Sequence, residues 1–325
     1  MELSPRVLAV VERFGERSLC VACSGGSDSV ALVHLLCAVP SLRRRLVLLH
    51  YDHRAGRETS ERDRNFVQSL AARLDLPCEV ATRGDGTGKI SNEEGLRALR
   101  MHWFRHCMAR HGTPYLLTAH QRDDALETLL LRLARGGNLE SLTAPREVQH
   151  FRDGSIHLRP LLHVPKADLV KFLRDNGWAW CEDETNSLPC HGRNRMRLQL
   201  IPLWRTFEAG RSWDRSLLRC RRLLVEDRDA LAAWAGRIYA RAREKNCLHT
   251  APLLGEPVAI RRRVLHLYLT ERRLCAGAAV VEKLLTAIAE KKSLRISLPG
   301  GVDCHLAGSI LSLPSPLDRE GHRVL

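Results

Sequence analysis

A chain of 325 residues can hold one full α/β domain and a smaller second one, and a hydrophobic content of 44% supports a packed core. A formal charge of +14 exceeds what a nucleotide site alone needs and points to a polyanionic partner such as nucleic acid. Eleven cysteines without disulfide-like spacing, no signal peptide and no long apolar run argue against a secreted, disulfide-stapled or membrane protein and for a reducing cytoplasm.

Ser4-Pro5 opens a helix over residues 4–14, and the apolar run Leu19 to Cys23 reads as a strand buried on both faces. Cys20 and Cys23, three apart on that strand, point to opposite faces and read as core rather than as a metal or redox pair. Ser24-Gly25-Gly26-Ser27-Asp28-Ser29 follows, then the buried helix that starts at Val30. Two adjacent glycines let several backbone N–H groups converge, serine hydroxyls add donors, and a helix start adds a positive dipole end. That is a cradle for phosphate. Asp28 would repel such a ligand unless a divalent cation lies between them, so it reads as a Mg²⁺ contact.

A second buried strand, Leu46 to Tyr51, ends in Asp52-His53-Arg54, where ligands bind in doubly wound sheets. An amphipathic helix over 58–74, a strand over 77–82 and a glycine loop over 83–88 lead to a long helix, 92–111, opened by a Ser91–Glu94 capping box. On it, His102 and His106 have metal-ligand spacing but no third ligand, and read as surface or RNA contacts. The strand 115–119 ends at His120, and a helix starting near Asp123 stacks Asp124 and Glu127 on one face. Acids cap helices in any case, but capping explains neither His120 nor Glu127, so the cluster reads as a site that orients a cation or takes up protons.

A loop and hairpin turning at Asp153-Gly154 precede Arg159-Pro160-Leu161-Leu162 and a helix over 166–176. An acidic loop from Cys181 to Asn186 runs into the arginine-rich 191–197, then an apolar helix with Leu198, Leu200, Ile201 and Leu203. In that setting an arginine pointed into the site is expected rather than a merely solvated face. Long helices over 213–245, 257–273 and 277–290 and three short strands after residue 293 complete a smaller α+β unit. The expected architecture is α/β, a doubly wound parallel sheet in residues 1–208, with a helical linker and small C-terminal domain in 209–325.

Ser-Gly-Gly-x-Asp-Ser is also the signature of the pyrophosphate-loop (N-type) ATP pyrophosphatases, which are Rossmann-like. With the motifs at 50–54, 91–100, 120–128, 159–162 and 182–197, the chain resembles the bacterial tRNA(Ile)-lysidine synthetases. The resemblance implies ATP-dependent ligation of free lysine to C2 of the wobble cytidine in an isoleucine tRNA with a CAU anticodon, through an adenylated intermediate. It implies that Ser24, Gly25, Gly26, Ser27, Asp28 and Ser29 hold pyrophosphate and Mg²⁺, with Asp52 and His53 on the adenosine side. By the same likeness Asp124 and Glu127 recognise lysine's amines, and His120 and Arg193 assist adenylation. Arg195 and Arg197 are the expected tRNA contacts, and a homodimer is compatible with the chain. Gln121 and Ala125 depart from the family pattern, which usually has histidine and glutamine there. Competing readings are a tRNA thiolase of the 2-thiocytidine kind, whose usual lysine at the Ser27 position is absent, and a non-catalytic ATP-sensing RNA-binding protein.

Overall fold

The computed structural model of the chain describes residues 2–13, 15–52, 57–83, 93–151, 153–182, 195–207, 213–272, 274, 276–299 and 301–313. His53, the loop 84–90, the Ser91 cap and Arg193 lie outside the described residues. Two compact units divide at Arg221/Arg222, inside the helix Trp213–Ala242.

The first unit runs α1 (Pro5–Arg13), β1 (Leu19–Ala22), α2 (Ser27–Cys37), α3 (Pro40–Arg43), β2 (Leu46–Asp52), α4 (Arg57–Leu74), β3 (Cys78–Thr82) and α5 (Glu93–Arg110). It continues through β4 (Tyr115–Leu117), α6 (Arg122–Ala134), α7 (Leu139–Leu142), β5 (Val148–His150), β6 (Ile156–Leu158) and α8 (Lys166–Asp175). The sheet order is β3-β2-β1-β4-β6-β5. All neighbours pair in parallel except the edge strand β5, which is antiparallel to β6.

Both faces of the sheet are covered, which is why its strands are apolar without alternation. Val21, Leu48, Leu117 and Leu158 pack on one face with Val30 and Val33 of α2, Leu70 of α4 and Leu169 of α8. Cys20, Val47, Leu49 and Leu116 pack on the other with Phe104, Cys107 and Met108 of α5. Cys20 and Cys23 therefore sit in different cores, as the strand period requires. The doubly wound architecture places the C-terminal ends of β1, β2, β4 and β6 along one edge. The candidate site is built there.

The second unit is a sheet in the order β7-β8-β11-β10-β9, antiparallel throughout. Its strands are β7 (Arg243–Glu244), β8 (Cys247–His249), β9 (Leu294–Leu298), β10 (Val302–Ala307) and β11 (Ile310–Ser312). Helices Val258–Glu271 and Ala278–Ala289 supply Val264, Leu265, Tyr268, Leu284 and Ile288 to its core. The Tyr268 hydroxyl lies 3.0 Å from the carbonyls of both Asn246 and Leu311, tying the β7–β8 turn to β11. The helix expected over 213–245 stops at Ala242, because Arg243 and Glu244 pair with β8. Among the described residues no helix is long and apolar enough to cross a membrane.

Candidate active site

After β1 the backbone turns through Cys23–Gly26 into α2. Gly25 has φ +90°, which favours glycine, and a Cβ there would meet Cys181 Sγ at 3.5 Å and Phe66 at 3.6 Å. Gly26 caps α2 at φ −72° with no side-chain cap, so the first helical N–H groups are not taken up by a capping oxygen. Ser29 holds the turn's shape: the Ser24 N–H donates to Ser29 Oγ at 3.2 Å, and that hydroxyl donates to the Gly26 carbonyl at 2.9 Å. Beneath it, His50 Nδ1 lies 2.9 Å from the Cys23 carbonyl, a contact buried between β1 and β2. Asp28 stands in the first turn of α2, accepts from the Ser27 hydroxyl at 3.3 Å, and lies 3.6 Å from Lys166 Nζ. Asp52, at the end of β2, is buried.

The second constellation follows β4. His120 Nδ1 is 2.9 Å from Thr118 Oγ1, which fixes the ring beside the strand end. Gln121 is the N-cap of α6: its side chain accepts from the Asp123 N–H at 2.6 Å, while Asp124 Oδ2 accepts from the Gln121 N–H at 3.0 Å. Gln121 is fully buried and serves here as the cap. Asp124 does two things at once. Its second oxygen, Oδ1, is 3.7 Å from Arg197 Nη2. One turn on, Glu127 is fully buried, with Arg197 Nε donating to it at 2.6 Å.

Arg197 belongs to a π-helical turn, Met196–Leu200, which leads into the helix Ile201–Phe207. Met196 and Ile201 pack with Leu126 and Leu130 of α6, and that contact brings the arginine over the two acids. Burial disfavours the Arg197 charge, but Glu127, Asp124 and Asp28 outweigh it and hold the guanidinium above its ordinary pKa. The arginine expected at the RNA surface thus lies inside the acidic cluster, whereas Arg195 is exposed.

Both constellations open on one cavity of about 1020 Å³, lined by Ser24, Gly26, Ser27, Asp28 and Ser29 on one part and His120, Asp124 and Arg197 on another. Glu127 is not on its wall but behind Arg197. Lys166, Arg97, Arg100, His157, Arg159 and Cys181 also line it, and none of them was among the expected site residues. Arg159 had a signal in its Arg-Pro-Leu-Leu run; Lys166 had none. Cys181 is pushed up to about 12 by burial and by Asp63, and burial also raises the Cys23 thiol, so neither is a ready nucleophile.

Comparison with known proteins agrees with this geometry. The PP-loop domain family matches residues 2–204. A tRNA(Ile)-lysidine synthase of Thermosynechococcus vestitus is 32% identical over 310 residues, which cover 93% of this chain and 88% of that one. A Thermus thermophilus protein of the same name is 36% identical over 310 residues, 93% of this chain and 57% of its own length. That of Bacillus subtilis is 32% identical over 189 residues, 57% of this chain and 40% of its own. The chain thus spans about half the length of these last two relatives. With the cradle, the acid cluster after β4 and a relative matched nearly end to end, the chain belongs to the PP-loop family and, within it, to the tRNA(Ile)-lysidine synthases.

Proposed function

We propose that this chain ligates lysine to C2 of the wobble cytidine of an isoleucine tRNA with a CAU anticodon, consuming ATP. The observation that carries it is the opening of the phosphate cradle and the His120–Asp124 cluster onto one cavity. In the first step the cytosine O2 attacks the α-phosphorus of ATP and pyrophosphate leaves. In the second, lysine Nζ attacks C2, the C2–O bond breaks and AMP departs.

Each group has work suited to its place. The uncapped N–H groups of α2 and the Ser24 and Ser27 hydroxyls take the charge that builds on pyrophosphate. Asp28 is a carboxylate in the first turn of the cradle helix, the kind of donor that Mg²⁺ uses together with phosphate oxygens, and it would hold that ion. Bound there, Mg²⁺ would neutralise phosphate charge. Lys166 adds a fixed cation beside the same carboxylate. Asp124, on the cavity wall, receives the lysine ammonium, and His120 takes a proton as the amine becomes nucleophilic. Glu127 reaches that amine only where Arg197 moves aside; in the described state it anchors Arg197. Asp52 and His53 line the adenosine side, Arg193 assists adenylation, and Arg195 with the basic second unit, residues 222–325, engages tRNA.

The thiolase reading needs a reactive thiol at the cavity, and the raised Cys181 and Cys23 thiols disfavour it. AMP formation measured with each amino acid in turn, with and without unmodified tRNA, tests the proposal. AMP should appear in quantity only with tRNA and lysine together; sulfur transfer without lysine incorporation would end it.

A further inference from the structure

One part of the cavity wall carries positive charge that the roles above leave unused. His157 and Arg159 alternate along β6, and Arg159 follows its last residue, so both side chains leave the sheet on one face while Ile156 and Leu158 enter the core on the other. The β4–β6 register pairs Leu116 with His157 and Leu117 with Leu158, and the Thr118 N–H donates to the Leu158 carbonyl at 2.9 Å. Arg159 therefore lies across from Thr118, the residue that holds His120, about one strand spacing of ~4.8 Å away.

Arg159 is 4% exposed. Its Nη1 donates to the Arg146 carbonyl at 2.8 Å, its Nε has no partner, and among the described residues no carboxylate pairs with it. The 5%-exposed His157 likewise has Nε2 without a partner. Arg97 of α5 lines the same cavity. A buried guanidinium facing other cations is costly unless an anion completes it. Burial and the fields of Arg97 and Arg221 pull Arg159 down to about 10, the direction expected of a cation short of its counter-ion.

We propose that Arg159, with the unpartnered Nε2 of His157 and the charge of Arg97, binds the α-carboxylate of the free amino acid substrate while Asp124 takes its side-chain ammonium. This rests on the ligase reading above and names the second half of that substrate's recognition. A planar guanidinium fork matches a carboxylate. A small zwitterion can reach a residue so nearly buried, whereas the phosphodiester of a polymer chain would have to carry its backbone in with it. The cation just after β6 and the carboxylate in the first turn of α6 then select for amino acids with a cationic terminus at a set distance from the carboxylate.

The test compares lysine with lysinamide and cadaverine, which keep the terminal amine and lack the carboxylate, as substrates of the wild-type chain and of Arg159→Met. Wild type should use the two analogues about 100-fold less efficiently in kcat/KM, the size of a charge-assisted pair. Arg159→Met should lose about the same factor on lysine, mainly through KM, with KM for ATP unchanged and discrimination between lysine and cadaverine reduced to a few-fold. Should that variant not fold, the wild-type comparison still decides: equal use of lysine and cadaverine overturns the proposal. A variant weakened for tRNA but not for lysine also overturns it, in favour of an RNA phosphate. Wild type inactive with lysine altogether would instead contradict the ligase reading.

Discussion

Arg197 Nε donates to the fully buried Oε1 of Glu127 at 2.6 Å, and the same guanidinium lies 3.7 Å from Asp124. Removing one partner leaves a buried charge short of its counter-charge. Arg197→Ala should therefore cost about 3 kcal/mol of stability, and Arg197→Met combined with Glu127→Gln should recover much of it. Urea unfolding of the single and double variants measures both; additive losses would mean the two side chains are not coupled.

Asp124→Asn keeps an oxygen able to cap Gln121 while removing the charge. We expect less than about 1 kcal/mol of destabilisation and loss of nearly all turnover, since the ammonium then lacks its counter-charge. Circular dichroism and AMP formation on the same preparation separate the two effects. A non-catalytic RNA binder would be indifferent to the change.

The two cradle glycines should behave differently. Gly25 has φ +90°, a conformation that strains any residue with a Cβ although the space around it allows one, so Gly25→Ala should cost about 1–3 kcal/mol and abolish nucleotide binding. Gly26, at φ −72°, would place a Cβ 3.5 Å from Ser24 Oγ, an ordinary contact, so Gly26→Ala should fold normally. Equal unfolding midpoints for the two variants would refute the assigned backbone geometry.

His157 supplies a pH dependence. Burial, then Arg159 and Arg105, opposed by Asp153 and helped least by Arg97, bring it from 6.5 to about 4 in the folded chain. The unfolded chain thus binds more protons between these values. Stability rises with pH across the window and falls as pH drops from 6.5 toward 4, by a total on the order of 3 kcal/mol. In His157→Gln this part of the acid sensitivity should vanish. Parallel pH profiles for the variant and wild type would remove His157 as its source.

The +14 charge predicts that tRNA affinity falls steeply between low and physiological salt, with log K linear in log salt. Filter binding across a salt series reads the slope. A flat response would separate the charge from RNA recognition.

Much of the cradle was legible because it is local: an apolar strand, paired glycines and a helix start are contiguous in Leu19 to Val30. His120 at a strand end was legible for the same reason. An arginine of the 191–197 run turned into the site was expected, but that Arg197 does so was not legible, since one arginine in a basic run looks like its neighbours. Its placement depends on Met196 and Ile201 finding Leu126 and Leu130 far earlier in the chain, and Arg197 itself stands 70 residues from Glu127. Residues 243–249 lacked a strand signal because β8 gains its identity from pairing with β11, far along the chain. Arg159 was visible as a motif, but its buried and unpaired state is a property of the folded wall.

The most direct measurement is mass spectrometry of the wobble nucleoside after the chain is incubated with ATP, Mg²⁺, lysine and unmodified isoleucine tRNA bearing a CAU anticodon. Cytidine should be converted to a lysine-bearing nucleoside joined through C2, with one AMP formed for each conversion. Unchanged cytidine from a folded, ATP-binding preparation would contradict the ligase reading.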